Sequence, residues 1–173
     1  MKTEKIKLYS NSEIKEAQKE IPNIMFYPNQ SIGTYHGISI HPSNTIVKAH
    51  RSILAICARL TTNEYVIIVD DYFLQAPEQV RTFILSHELG HITDLNEGKI
   101  QEVPLNQIDI SMFKRMGGLL INKVDSKELS ADEFAVGLTS KQDGIDSLNY
   151  IINTFNLSSR ELKLRINHIQ NLK

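Results

Sequence analysis

The stretch Ser86-His87-Glu88-Leu89-Gly90-His91 constrains this chain more than any other. It lies in a run of helical character that opens at Pro77, a residue suited to a first helical position, with Glu78 in the first turn. The run extends to Leu95 or Asn96, and Gly98 is a fitting stop. Val80, Ile84 and Leu85 mark its core face. Residues four apart share a helix face, so His87 and His91 can aim two ring nitrogens at one point. Glu88 sits about 100° round the same helix and can reach a water at that point without being a ligand. Two neutral imidazoles, a third protein ligand and an open position are what a catalytic zinc needs. A ligand from the same straight helix would hold the metal from one side only, so a tetrahedral site calls for a second element alongside. Gly90 fits that demand. Glycine inside a helix costs about 1 kcal/mol against alanine, and close approach of another segment beside the metal is the packing reason.

Several carboxylates compete for the third position. Asp94 shares the face of His87 and His91, and Glu97 follows His91 by six residues. On a continuing helix Glu97 points away from His91, and Asp94 stands where a glycine would be needed to turn the chain sharply. Glu128 comes from another helical pattern, which opens at Ser126 as candidate N-cap and runs through Ala135. Asp132, one turn on, shares its face and can accept the other ring N–H of a metal-bound histidine, fixing its tautomer. Ala131 and Ala135 are small enough to let the two helices sit close. Glu133 lies about 140° round from Glu128. Glu128 therefore leads, with Asp94, Glu97 and Glu133 as rivals and a solvated acidic first turn as the bland alternative.

The rest of the chain supplies the setting. At 173 residues it is one domain, long enough to bury a core without staples. A composition 41% hydrophobic and 23% charged is that of an ordinary soluble globule, and a net charge of −1 gives no broad grip on nucleic acid or anionic lipid. Cys57 is the single cysteine, so no internal disulfide forms, and its apolar run Ile53–Ala58 reads as core. No stretch approaches the ~20 apolar residues that span a membrane, and the N-terminus lacks the apolar core of a signal peptide. The chain reads as cytoplasmic. Helices are expected over Ser12–Ile21, Asn44–Leu60, Asp143–Phe155 and Ser158–Asn171, and strands over Tyr35–His41 and Glu64–Asp70, with Ile24–Pro28 a short strand or buried loop. Glu97 to Lys127 reads as a helix–loop segment packed on the core, or as a cleft cover hinged at Gly117-Gly118. His36, His41, His50 and His168 form no recognised metal cluster.

His87-Glu88-Leu89-Gly90-His91 followed by Glu128-x-x-Ala131-Asp132-x-Phe134-Ala135 resembles the gluzincin zinc peptidases, among them the HtpX-type membrane peptidases and the small ImmA/IrrE-type metallopeptidases. The resemblance spans Glu64 to Phe134, and Asp132 follows the HtpX pattern. It implies that His87, His91 and Glu128 bind Zn2+ and that Glu88 is the general base. Arg165-Ile166 resembles the last conserved segment of the HtpX type, in which a His-Pro pair precedes an arginine; Ser158-Ser159 stand here instead. That leaves Arg165 or a tyrosine to hold the developing oxyanion.

The expected fold is α+β: a mainly helical, zincin-like minimal metallopeptidase domain over residues 1–173, with a small β-sheet preceding the motif helix and residues 1–60 unassigned. The expected activity is zinc-dependent hydrolysis of peptide bonds, with the Glu64–Asp70 strand offering a free edge to an extended peptide. The partner is a protein or peptide substrate, with a single regulatory protein as one form of it, and neither nucleic acid nor membrane. The alternative is a zinc-stabilised module that binds protein without catalysis.

Overall fold

The computed structural model describes residues 30–43, 53–59, 64–98 and 124–173. They form a mixed α/β unit: strands β1 (Gly33–Tyr35), β2 (Ile38–Ser43), β3 (Ala55–Arg59) and β4 (Tyr65–Asp70), then helices α1 (Asp71–Gln75), α2 (Glu78–Asn96), α3 (Ser126–Leu138), α4 (Lys141–Phe155) and α5 (Arg160–Asn171). The expected helix over Ser12–Ile21, the segment Ile24–Pro28 and most of Glu97–Lys127, with its glycine pair, lie outside the described residues. Among the described residues, no helix is long and apolar enough to cross a membrane.

The sheet has the order β1-β2-β4-β3. β4 is its centre, parallel to β2 and antiparallel to β3. Val66, Ile67, Ile68 and Val69 are buried on both faces, as a continuous β-branched run requires. The single strand expected over Tyr35–His41 is a hairpin. His36 and Gly37 turn it with φ of 49° and 81°, the left-handed pair of a two-residue hairpin loop. β1 pairs only as far as Ile40, so Pro42 sits where β2 has a neighbour on one side alone, the tolerable place for a residue without N–H.

Two expectations are corrected here. Of the helix expected over Asn44–Leu60, residues 44–52 and Leu60 lie outside the described residues, and Ala55–Arg59 are a strand. Ala55, Ile56 and Ala58 are all buried, so the spacing of Ile53, Ile56 and Leu60 did not mark a helix face; pairing with β4 overrides the helical preference of the alanines. In consequence β4 is no edge. Among the described residues the edge next to β4 is β3.

α2 packs between the sheet and the helices α3 and α4. The hydroxyl of Tyr35 in β1 bonds Ser86 Oγ at 2.6 Å, and Ser86 in turn donates to the Thr82 carbonyl at 2.8 Å. This buried chain of bonds pins α2 to the sheet one residue before His87. The later helices begin at capped ends. Asp125, not Ser126, caps α3 through the Lys127 N–H; Ser140 caps α4; Ser159 caps α5 through the Leu162 N–H.

Candidate metal centre

α2 is a regular helix of 19 residues, so His87 and His91 do share a face. Their Nε2 atoms lie 3.1 Å apart. Glu128, in the first turn of α3, places Oε2 3.4 Å from His87 Nε2 and Oε1 3.4 Å from His91 Nε2. One ligand atom from each of the three lies within 4.8 Å of the others, the spacing at which three donors can share one metal ion.

The two helices approach closely because of their small residues. A Cβ on Gly90 would sit 3.0 Å from the Ala131 Cα and 3.3 Å from the Ala131 carbonyl oxygen. Backbone meets backbone there, one turn beyond Glu128. The packing role read for Gly90, Ala131 and Ala135 is therefore met, with both alanines fully buried.

Behind the donors lies a charged cluster. Asp132 Oδ1 is 2.9 Å from His87 Nδ1, so that nitrogen carries the proton and Nε2 is turned toward His91 and Glu128. Arg165, from α5, donates through Nε to Asp132 Oδ2 at 2.8 Å and through Nη2 to Oδ1 at 2.7 Å, while Nη1 lies 2.8 Å from Glu128 Oε2. One guanidinium thus fixes two carboxylates on successive turns of α3, a use suited to its planar fork. Arg165 acts by holding Glu128 and Asp132.

The charges shift one another. Burial opposes the imidazolium of His87, but hydrogen bonds with Asp132 and Glu128 outweigh it and raise the pKa to about 10. Burial also opposes ionisation of Glu128 and Asp132, yet Arg165 and the histidines hold Glu128 well below the usual carboxylate range and Asp132 below it. Arg165 is pushed up by the two carboxylates against its own burial. A proton on His87 occupies the position a metal ion would take.

A cavity of about 190 Å³ opens on His87, Glu88, His91 and Glu128. β3 forms one wall of it through Ala55, Ile56 and Cys57. Cys57 is half-buried and packs against the core at this wall. Burial and the negative charge of the nearby Glu88 carboxylate push its pKa well up, so the thiol is neutral. Its place here follows from β3 being a strand, and the apolar run around it in the sequence hid it.

The rival carboxylates are elsewhere. Asp94 is buried in α2, Glu97 caps its end, and Glu133 is exposed and bonded to His168 at 2.8 Å. None joins the three-donor group. Neither family models, curated protein sequences nor solved structures give a match to this chain.

Proposed function

We propose that this chain is a zinc metallopeptidase of gluzincin type, with His87, His91 and Glu128 as ligands and Glu88 as general base. The observation that carries the reading is the convergence of three donors from two helices on a cavity that Glu88 also lines. The donor set fits: two imidazoles and one carboxylate with a side open to a cavity are the ligands of a catalytic rather than a structural zinc. His87 is already oriented for the task by Asp132, as metal-bound histidines are by a carboxylate behind them.

A bound zinc supplies a polarised carbonyl and a water acidified to near neutrality. The residues of the chain do the rest. Glu88 is placed to take the proton of the attacking water and pass it to the departing amine. Cys57 lines the same cavity wall as a neutral thiol near Glu88. Arg165 holds Glu128 and Asp132 in register, so ligand and support move together. Among the described residues β3 pairs on one side alone, and its other side would offer backbone N–H and C=O groups to an extended peptide, which would add as a strand beside the ligands. This replaces β4 as the binding edge.

The test is Glu88→Gln. The variant should bind one zinc as the wild type does and lose cleavage of unfolded protein; retained turnover would remove Glu88 from its role. A second reading, a zinc-stabilised module that binds protein without cutting it, draws on Arg165. Its Nε, Nη1 and Nη2 are all engaged with carboxylates and so are not offered to an oxyanion. In that case the variant keeps the biological effect of the wild type.

A further inference from the structure

The metallopeptidase reading leaves open which part of a peptide the cavity receives, and its walls bear on that. Beyond the metal-facing groups the cavity is bounded by Phe83 and Ile84 of α2, Leu148 and Ile151 of α4, and Leu54 just before β3. All five are buried core residues. The volume, about 190 Å³, is below the 300–1,000 Å³ or so of pockets that take whole small molecules, and suits one side chain.

The polar groups of the lining are engaged. Arg165 is neutralised by Glu128 and Asp132, so it offers no spare charge to an acidic side chain. Ser147 donates its hydroxyl to the Asp143 carbonyl within its own helix. Glu128 is itself held by Arg165 and faces the histidines, and Glu88 is the other carboxylate of the lining, so no free cation there meets an acidic side chain. Phe83, Ile84, Leu148 and Ile151 offer a charged side chain of either sign no partner, and an ion left against such walls is costly.

Resting on the metallopeptidase reading, we propose that this cavity is a specificity pocket for one apolar side chain of leucine size, flanking the bond placed at His87, His91 and Glu128. Phe83, Ile84, Leu148 and Ile151 set its size. A peptide held along β3 lies beside this cavity, since Ala55, Ile56 and Cys57 are part of the same wall.

The test uses the full chain loaded with zinc and the hydroxamates of glycine, leucine, aspartate and lysine, with dissociation constants read by calorimetry. Each probe carries the same chelating group, so glycine hydroxamate reports the metal and the ratio to it reports the pocket. Leucine hydroxamate should bind about tenfold to a hundredfold tighter than glycine hydroxamate, the gain from burying that side chain. Aspartate and lysine hydroxamates should bind no tighter than glycine hydroxamate. Ile151→Phe should remove the leucine advantage while leaving glycine hydroxamate unchanged. Equal binding of all four probes by the wild-type protein overturns the pocket and leaves the metal site standing, as does a preference for aspartate or lysine. Failure of the chain to take up zinc overturns the proposed function, and the pocket with it.

Discussion

Replacing Gly90 with alanine sets two effects of known sign against each other. Alanine removes the conformational freedom of a glycine inside a helix and on that ground stabilises by about 1 kcal/mol. The new methyl, however, meets Ala131 Cα at 3.0 Å, Phe134 Cβ at 3.2 Å and the Ala131 carbonyl oxygen at 3.3 Å. Carbon atoms rest comfortably at about 3.5–4.0 Å. Two of the three obstacles are backbone, which has no rotamer to escape into, so α3 must back away by about half an ångström. Overpacking of this kind costs about 1–3 kcal/mol. The steric cost wins, and the expected net loss is about 1 kcal/mol, or 2–4 °C in Tm for a chain of this size. The same displacement carries Glu128 away from a histidine pair it now approaches at 3.4 Å on both sides. Zinc affinity should fall about tenfold, the lower end of what a disturbed ligand support costs. Gly137→Ala is the control: it lies in α3 with nothing within 4 Å of the added carbon, and should raise Tm. Thermal melts of the metal-free proteins and competition with a chromophoric chelator give both quantities. If Gly90→Ala raised Tm as Gly137→Ala does, with zinc binding unchanged, the close contact of α2 with α3 would be refuted.

Three further outcomes are expected. Because the folded-state pKa of His87 is raised to about 10, zinc must displace a proton, and apparent zinc affinity should rise about tenfold per pH unit from pH 7 to 9; a flat titration counts against it. The same shift stabilises the metal-free fold fully below the unfolded pKa of about 6.5 and is lost as pH rises through about 10, which urea melts at pH 7 and pH 10.5 would read. Asp132→Asn should weaken zinc binding about 10–100-fold, since His87 loses its charged support, and should lower Tm by leaving Arg165 short of a buried counter-charge; an unchanged zinc titration would show that Asp132 does not orient His87.

What could be read from the sequence was local or periodic. The helix of the motif announces itself by Pro77, Glu78, the core face at Val80, Ile84 and Leu85, and Gly98, whose φ of 69° needs glycine. That Glu128 and Asp132 would meet the histidine pair was legible because a metal held from one helix would have to be closed from another, and a one-turn spacing puts both carboxylates on one face. β3 was not legible. Ala55, Ile56 and Ala58 are buried whichever face they take and so carry no apolar–polar alternation, and such a run is a strand only because β4 is there to pair with it. That one misreading hid both the pairing of β3 with β4 and the place of Cys57 on the cavity wall. The hairpin at His36-Gly37 was hidden for a related reason: His-Gly is a weaker turn signal than Asn-Gly, and the short β1 gave no run of its own to read. Arg165 could be seen as a candidate but not assigned, because its two partners lie on another helix 33 and 37 residues earlier in the chain.

The arrangement of Arg165 follows from counting charge. Asp132, fully buried, and Glu128, half-buried beside it, bring two negative charges together, and a lone guanidinium cannot neutralise both. In the metal-free protein the second positive charge is the proton on His87, which is why burial fails to expel it. A divalent ion that takes the place of that proton leaves the cluster one charge too positive, and the Glu88 carboxylate on the same cavity restores the balance. Remove Arg165 from this sum and the metal-loaded cluster is one charge too negative, with Asp132 held only by His87. The arginine therefore serves the site although it must repel the metal: its repulsion is the cost of keeping two carboxylates together, aimed and ionised before the metal arrives. Arg165→Met would abolish that repulsion and still weaken zinc binding on this argument, because a misplaced Glu128 loses more than a relieved charge gains.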